Sequence, residues 1–137
     1  MKYDEFTKHV QSFSQADSLD EVERAIRATL ETLAERIQED EASKLAEQLP
    51  EEMGTYLRSR EGQTSSAFTL QEFYQRVSQK EGIDPATAVM HVRAVFAVLN
   101  SAVTPDEFGD VRTILSEDYE ELFAVSNKVL ITKYSQS

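Results

Sequence analysis

The chain has 137 residues, 40% of them hydrophobic and 28% charged, a composition typical of a single globular domain. It contains no cysteine, which excludes disulfide bonds and thiolate chemistry. Its formal net charge of −11 opposes attraction to phosphate backbones and anionic lipid, so we expect neither nucleic acid nor a membrane surface as a partner.

The first half of the chain is predicted to hold three helices and a helical turn. An amphipathic segment over residues 6–13 precedes a long helix, whose start is marked by a capping box of Ser18 and Glu21. A shorter helix over residues 39–49 follows, and then a helical turn. The long helix carries one apolar stripe at steps of three and four residues: Val22, Ile26, Leu30, Leu33 and Ile37.

The second half begins after a polar segment without periodicity. Residues 59–68 open with Ser-Arg-Glu-Gly-Gln-Thr-Ser-Ser, and we predict that they form a flexible surface linker. Helix starts are then indicated at Thr69, which opens a capping box, at Asp84, which precedes a proline, and at Thr104. Residues 128–134 are rich in β-branched side chains, but we predict that they continue the last helix, because a lone strand has no sheet to join.

The two halves repeat one pattern. Residues 3–58 and 69–131 each read as a helix, a long helix, a shorter helix and a short helical turn, and one residue is inserted between the first helix and the long helix of the first copy relative to the second. The sequence therefore predicts a single all-α domain of two pseudo-symmetric repeats. Seven positions recur at a constant offset of 66 residues: Leu33 with Leu99, Ile37 with Val103, Glu41 with Glu107, Leu45 with Val111, Leu49 with Leu115, Met53 with Tyr119, and Leu57 with Phe123.

The long helix of the second copy is apolar over about half of its circumference. Such an arc is buried by neighbours on two sides, so residues 85–103 form either the central helix of the domain or part of an interface with another subunit. A homodimer through this arc is therefore one possible assembly. The acidic residues, 15 in residues 1–66 and 10 in residues 67–137, are interpreted as dispersed over solvated helix faces.

Glu41 and Glu107 form the one acidic pair that occupies equivalent repeat positions. They could line a shared groove or ligate a metal. Each is also the third residue of a predicted helix, where a carboxylate caps backbone N–H groups, and we favour this capping role. Neither an EF-hand loop nor a Glu-x-x-His pair is present, so the sequence predicts no metal site and no cofactor.

His91 lies at the edge of the apolar arc. An imidazole there could act as a general base, but there is neither a cysteine to activate nor a serine in a nucleophile elbow. We therefore favour a partly buried structural histidine, and we predict no catalytic residue.

Several short motifs resemble a known family. The first half carries Leu30, Leu33, Arg36, Glu41-Ala42, Leu45-Ala46 and Gln48-Leu49-Pro50, and the second half begins with Glu72-Phe73 and Arg76-Val77. Together they resemble the bacterial domain-of-unknown-function family 2267 over nearly the whole chain. The resemblance implies a bacterial, all-helical, cytoplasmic protein, and no established activity comes with it.

These observations leave three functions open. The first is a noncatalytic protein-interaction or scaffold module in the bacterial cytoplasm, with a protein partner or a second copy as its ligand. The second is a small-ligand-binding protein or enzyme with a pocket between the repeats, for which Glu41, Glu107 and His91 are the groove candidates. The third is an acidic decoy that mimics nucleic acid and occupies a basic protein.

Overall fold

The computed structural model describes residues 1–60 and 62–123, which fold into an all-α domain. The predicted fold class is confirmed, and these residues include no strand. The predicted continuation of the last helix over 128–134 lies outside the described residues. In chain order the elements are α1 Tyr3–Ser14, α2 Leu19–Arg36, α3 Glu39–Glu47, α4 Glu51–Leu57, α5 Leu70–Glu81, α6 Pro85–Ala102, α7 Pro105–Ile114, and a 3₁₀ turn Glu117–Tyr119.

The helix starts follow the local chemistry of their caps. The hydroxyls of Ser18, Thr69 and Thr104 each accept a hydrogen bond from the backbone N–H three residues on, at 3.2, 3.1 and 3.2 Å. Asp84 lies at the N-cap of α6 but makes no side-chain capping bond. Its carboxylate accepts a hydrogen bond from the Thr87 hydroxyl instead.

The helix bounds follow the offsets predicted from the sequence. α2 and α6 begin and end 66 residues apart, and α1 and α5 begin and end 67 residues apart. α1 and α5 also end alike, because Gln15 and Gly82 both adopt the left-handed conformation, with φ of 57° and 67°. The equivalence of the two halves in space stays a prediction.

α6 is the central helix of the described domain. It packs against α1, α2, α5 and α7, and its apolar arc is buried, as at Val92, Val95 and Phe96, each 0% exposed. This burial confirms the core interpretation of the arc. Helices of the same chain cover these positions, and a homodimer stays a prediction.

The end of the predicted linker is part of the core. The Phe68 carbonyl accepts hydrogen bonds from Arg36 Nε at 3.0 Å and from the Tyr119 hydroxyl at 2.7 Å. The guanidinium of Arg76 lies 3.7 Å from the centre of the Phe68 ring, and the Ser66 N–H donates to the backbone carbonyl of Glu35. The prediction of a flexible linker is therefore wrong at its C-terminal end.

None of the helices in the described part of the chain is, taken singly, both long enough and apolar enough to cross a bilayer. The pair formed by α5 and α6 reaches that length and apolarity only in combination, and it is bent by 104° at its junction.

Candidate functional site

α3 and α7 pack against each other and bring the two repeat-equivalent glutamates together. Glu41 is the third residue of α3 and Glu107 is the third residue of α7. Asp110 follows Glu107 by three residues and therefore lies on the same face of α7. One carboxylate oxygen from each of these residues lies within 4.8 Å of the others, and we name Glu41, Glu107 and Asp110 the carboxylate cluster.

Two members of the carboxylate cluster are buried. Glu41 is 8% exposed and Glu107 is 5% exposed. The Oε2 atom of each has no hydrogen-bond partner among the described residues. Asp110 is exposed, so the cluster opens to solvent on its side. A buried acceptor without a donor is unfavourable, which makes this the least satisfied polar site described in the structure.

The capping role favoured from the sequence is wrong for the Glu107 carboxylate. In a capping box, the Glu107 carboxylate would accept a hydrogen bond from the backbone N–H of Thr104. That N–H donates instead to Gln48 Oε1, at 2.7 Å. Gln48 Nε2 in turn donates to the Thr104 hydroxyl at 3.3 Å. The residue after α3 thus caps α7, and the Glu107 carboxylate is left to face Glu41.

The environment of Glu107 opposes its ionisation. Burial, a hydrogen bond shared with Glu41 and the charges of Glu41 and Asp110 raise the pKa of Glu107 to about 7, and the nearby positive charge of Lys44 only partly opposes them. Two carboxylates at this distance do not both carry a full charge without a proton or a cation between them.

His91 lies in a second buried cluster, on α6. Its Nδ1 lies 2.9 Å from Glu81 Oε1, and its Nε2 lies 3.0 Å from Glu21 Oε2. The side chains of His91 and Glu81 are 1% and 2% exposed, whereas that of Glu21 is 25% exposed. We name Glu21, His91 and Glu81 the histidine triad. It joins the start of α2, the end of α5 and the middle of α6.

The contacts of the histidine triad favour a protonated imidazole. Carboxylate oxygens only accept, so both ring nitrogens must donate. Burial acts to lower the pKa of His91, but the hydrogen bonds and negative charges of Glu81 and Glu21 outweigh it, and the net shift is upward. The hydrogen bond to His91 likewise lowers the pKa of Glu21. The structural role favoured from the sequence agrees with this closed arrangement.

The structure does not bring the three groove candidates to one site. His91 lies eleven residues before the end of α6, about 16 Å along the helix axis, whereas Glu107 lies beyond that end. Two surface depressions, of about 360 and 290 Å³, are lined by other residues, among them Tyr74 in the first and Lys80 in the second. Neither depression includes a groove candidate.

The net charge is concentrated rather than dispersed. Residues 39–52 hold six acidic side chains and one basic side chain, a net charge of −5. Residues 105–123 hold seven acidic side chains and one basic side chain, a net charge of −6. The rest of the chain holds twelve of each sign, so these two segments account for the whole net charge of −11. α3 contacts both α4 and α7, so the segments adjoin. We name their exposed carboxylates the acidic face.

The sequence alone did not indicate this concentration, the grouping of Asp110 with both glutamates, or the contacts of Glu21 and Glu81 with His91. Summing charge helix by helix, rather than half by half, would have shown the concentration. The spacing of Asp110 three residues after Glu107 was also a usable signal. The partners of His91 come from two other helices, and no local pattern indicates them.

The sequence was compared with known proteins. A search among curated proteins gives no match. The family described as Uncharacterized conserved protein (DUF2267) matches residues 3–122, a range that includes the carboxylate cluster and the histidine triad. The resemblance seen in the sequence motifs is thereby confirmed. The chain belongs to the DUF2267 family.

Proposed function

We propose that this protein is a noncatalytic interaction module that binds a basic segment of a protein partner through the acidic face. The observation that carries the proposal is the confinement of the net charge of −11 to two adjoining segments. A surface of one sign attracts a partner of the opposite sign, steers its approach and raises the association rate.

The acidic face has carboxylates that the fold leaves available. Glu47, Glu51 and Asp106 are exposed, and none of them forms an ion pair with another described residue. Asp20, which lies outside the two segments, instead pairs with Arg24 at 3.6 Å. Unpaired surface carboxylates are free to contact a cationic partner without first breaking an internal bond.

A noncatalytic role is supported by the state of the residues that could do chemistry. His91 is 1% exposed and is held on both sides by carboxylates, so it has neither a free nitrogen nor access to a substrate. A pocket between the repeats lined by His91 and Glu107 receives no support from their placement. The proposal keeps the bacterial cytoplasm, implied by the sequence resemblance, as the location.

The test measures binding of a fluorescein-labelled peptide of ten alternating lysines and serines by fluorescence anisotropy. The double variant Glu47→Lys/Asp106→Lys changes two residues of the acidic face. Its matched control is Asp4→Lys/Asp17→Lys, which makes the same change in net charge on exposed residues in or near α1. The match extends to helix position, because Asp4 and Asp106 are each the second residue of a helix.

We expect the first double variant to bind the peptide at least tenfold more weakly and the control to change the dissociation constant by less than twofold. Equal weakening in both would mean that net charge alone attracts the peptide, and the proposed face would be wrong. The acidic-decoy alternative is separated by competition. A decoy would displace a duplex oligonucleotide from a basic nucleic-acid-binding protein, whereas an interaction module would leave that complex intact.

A further inference from the structure

We propose that the carboxylate cluster is a binding site for one hard divalent cation, of the class of Ca²⁺, Mg²⁺ and Mn²⁺, held by Glu41, Glu107 and Asp110. The inference rests on different observations from the peptide-binding proposal, because it is carried by the buried oxygens of Glu41 and Glu107, and the two proposals share only the exposed carboxylate of Asp110. It also reverses the expectation from the sequence that the chain has no metal site.

The spacing of the oxygens suits a single ion. Ca²⁺ binds oxygen at about 2.3–2.6 Å, so two ligands on opposite sides of one ion lie about 5 Å apart. The three carboxylate oxygens of the cluster lie within 4.8 Å of one another. One ion can therefore contact all three with only small side-chain adjustments. Donors that are all carboxylate oxygen select hard cations over softer metals such as Zn²⁺ and Cu²⁺.

The two buried oxygens point to a missing ligand. Glu41 Oε2 and Glu107 Oε2 are both inaccessible to solvent, and both lack a hydrogen-bond donor in the described part of the chain. A cation between them would satisfy both oxygens and cancel the repulsion between the two carboxylates. Lys44 is exposed and acts on Glu107 only through its charge, so it leaves both oxygens without a bond.

The cluster also offers an entry path. Asp110 is exposed, so an ion can arrive from solvent on that side and keep water molecules in its remaining coordination positions. Ca²⁺ takes six to eight oxygen ligands and Mg²⁺ takes about six, so three protein ligands leave room for several waters. Such a site is expected to bind in the micromolar to millimolar range rather than tightly.

A single proton is the competing occupant. A proton shared between Glu41 and Glu107 would also remove the repulsion and would need no other ligand. Asp110 distinguishes the two occupants, because a cation uses a third carboxylate and a shared proton does not.

The experiment uses the full chain, stripped with chelator and dialysed at pH 8. Binding of Mn²⁺ is followed by the loss of the free-ion electron paramagnetic resonance signal, and Ca²⁺ and Mg²⁺ are then added as competitors at constant ionic strength. We expect one saturable Mn²⁺ site per chain, displaced by one or both competitors. Glu107→Gln and Asp110→Asn should each weaken Mn²⁺ binding at least tenfold.

Asp106→Asn is the matched control, because it removes one exposed negative charge next to the cluster without removing a ligand. It should change the Mn²⁺ affinity by less than threefold. Because Asp110 is exposed, Asp110→Asn should keep the circular dichroism spectrum of the folded protein. It therefore tests the site even if Glu107→Gln does not fold. The proposal is overturned if no saturable site is seen up to 5 mM Mn²⁺, or if Asp106→Asn and Asp110→Asn weaken binding equally. Failure of Asp110→Asn to weaken it would also overturn the proposal.

Discussion

Replacing His91 by glutamine removes the positive charge from the centre of the histidine triad. The substitution keeps a side chain of similar size but leaves one amide where the imidazolium donated to two carboxylates, at 2.9 Å to Glu81 and 3.0 Å to Glu21. Glu81, whose side chain is 2% exposed, then loses the cation that lies within hydrogen-bond distance of it. Glu21, at 25% exposure, can turn towards solvent.

The expected loss of stability follows from this difference between the two carboxylates. Removing one member of a buried ion pair costs about 3–5 kcal/mol, because the other charge stays buried and uncompensated. Only Glu81 is fully enclosed, so we expect His91→Gln to lower the free energy of unfolding by about 3 kcal/mol, the lower end of that range. In the double variant His91→Gln/Glu81→Gln the buried charge is gone, and most of the loss should be recovered.

The pH dependence has a definite sign. The pKa of His91 is raised above 6.5 in the fold, so its contribution to stability is complete below about pH 6.5 and is lost as the pH rises through the folded value. The difference in unfolding free energy between wild type and His91→Gln should therefore be largest near pH 6 and should narrow by pH 9.

Urea unfolding followed by circular dichroism at 222 nm measures this difference. His9→Gln is the control, because His9 is exposed on α1 and should change the stability by less than 0.5 kcal/mol at either pH. A loss below about 1 kcal/mol for His91→Gln at pH 6, or the same loss at pH 6 and pH 9, would show that the triad is not a charged buried network.

Three further predictions use the same measurement. Leu33→Ala and Leu99→Ala should each lower the free energy of unfolding by ~2–5 kcal/mol, because the two leucines are 0% and 2% exposed. A near-neutral result for either variant would contradict the predicted equivalence of the repeats. Glu107→Gln, measured in chelator at pH 8, should raise the free energy of unfolding by up to about 3 kcal/mol. The reason is that the penalty for ionising the buried Glu107 is absent below pH 4.5 and complete above about pH 7. If Glu107→Gln were no more stable than Asp106→Asn, the result would argue against the buried carboxylate pair. Arg36→Lys should lower the free energy of unfolding by ~1–3 kcal/mol, because an ammonium group does not reproduce the hydrogen bonds of the guanidinium to both the Phe68 carbonyl and the Ser116 hydroxyl. An unchanged urea midpoint would contradict this prediction.

The helices could be predicted because their signals are local and occur twice. Caps at Ser18, Thr69 and Thr104 and apolar residues at steps of three and four fix most helix bounds within a few positions. The docking of the linker could not be predicted in this way. The Phe68 carbonyl is held by Arg36 and Tyr119, which lie 32 and 51 residues away in sequence, and such contacts depend on how the helices pack.

The candidate site was predictable as a pair of positions but not as a geometry. The repeat singled out Glu41 and Glu107, and their place at the third position of a helix suggested capping. That argument considers one helix at a time. It could not foresee that Gln48 would take over the cap of α7, nor that packing of α3 on α7 would turn the two carboxylates towards each other.

The two buried clusters differ in the balance of donors and acceptors, and this difference indicates which of them has a ligand to gain. In the histidine triad, two N–H groups of His91 meet the carboxylates of Glu21 and Glu81, so every partner needed is supplied by the fold. In the carboxylate cluster, Glu41 and Glu107 bring only acceptors, and an oxygen of each remains without a donor. A closed network stabilises one arrangement of helices and has little to offer a ligand. An open one lowers its free energy only when a cation or a proton arrives, so the junction of α3 and α7 is where binding and folding are most directly linked.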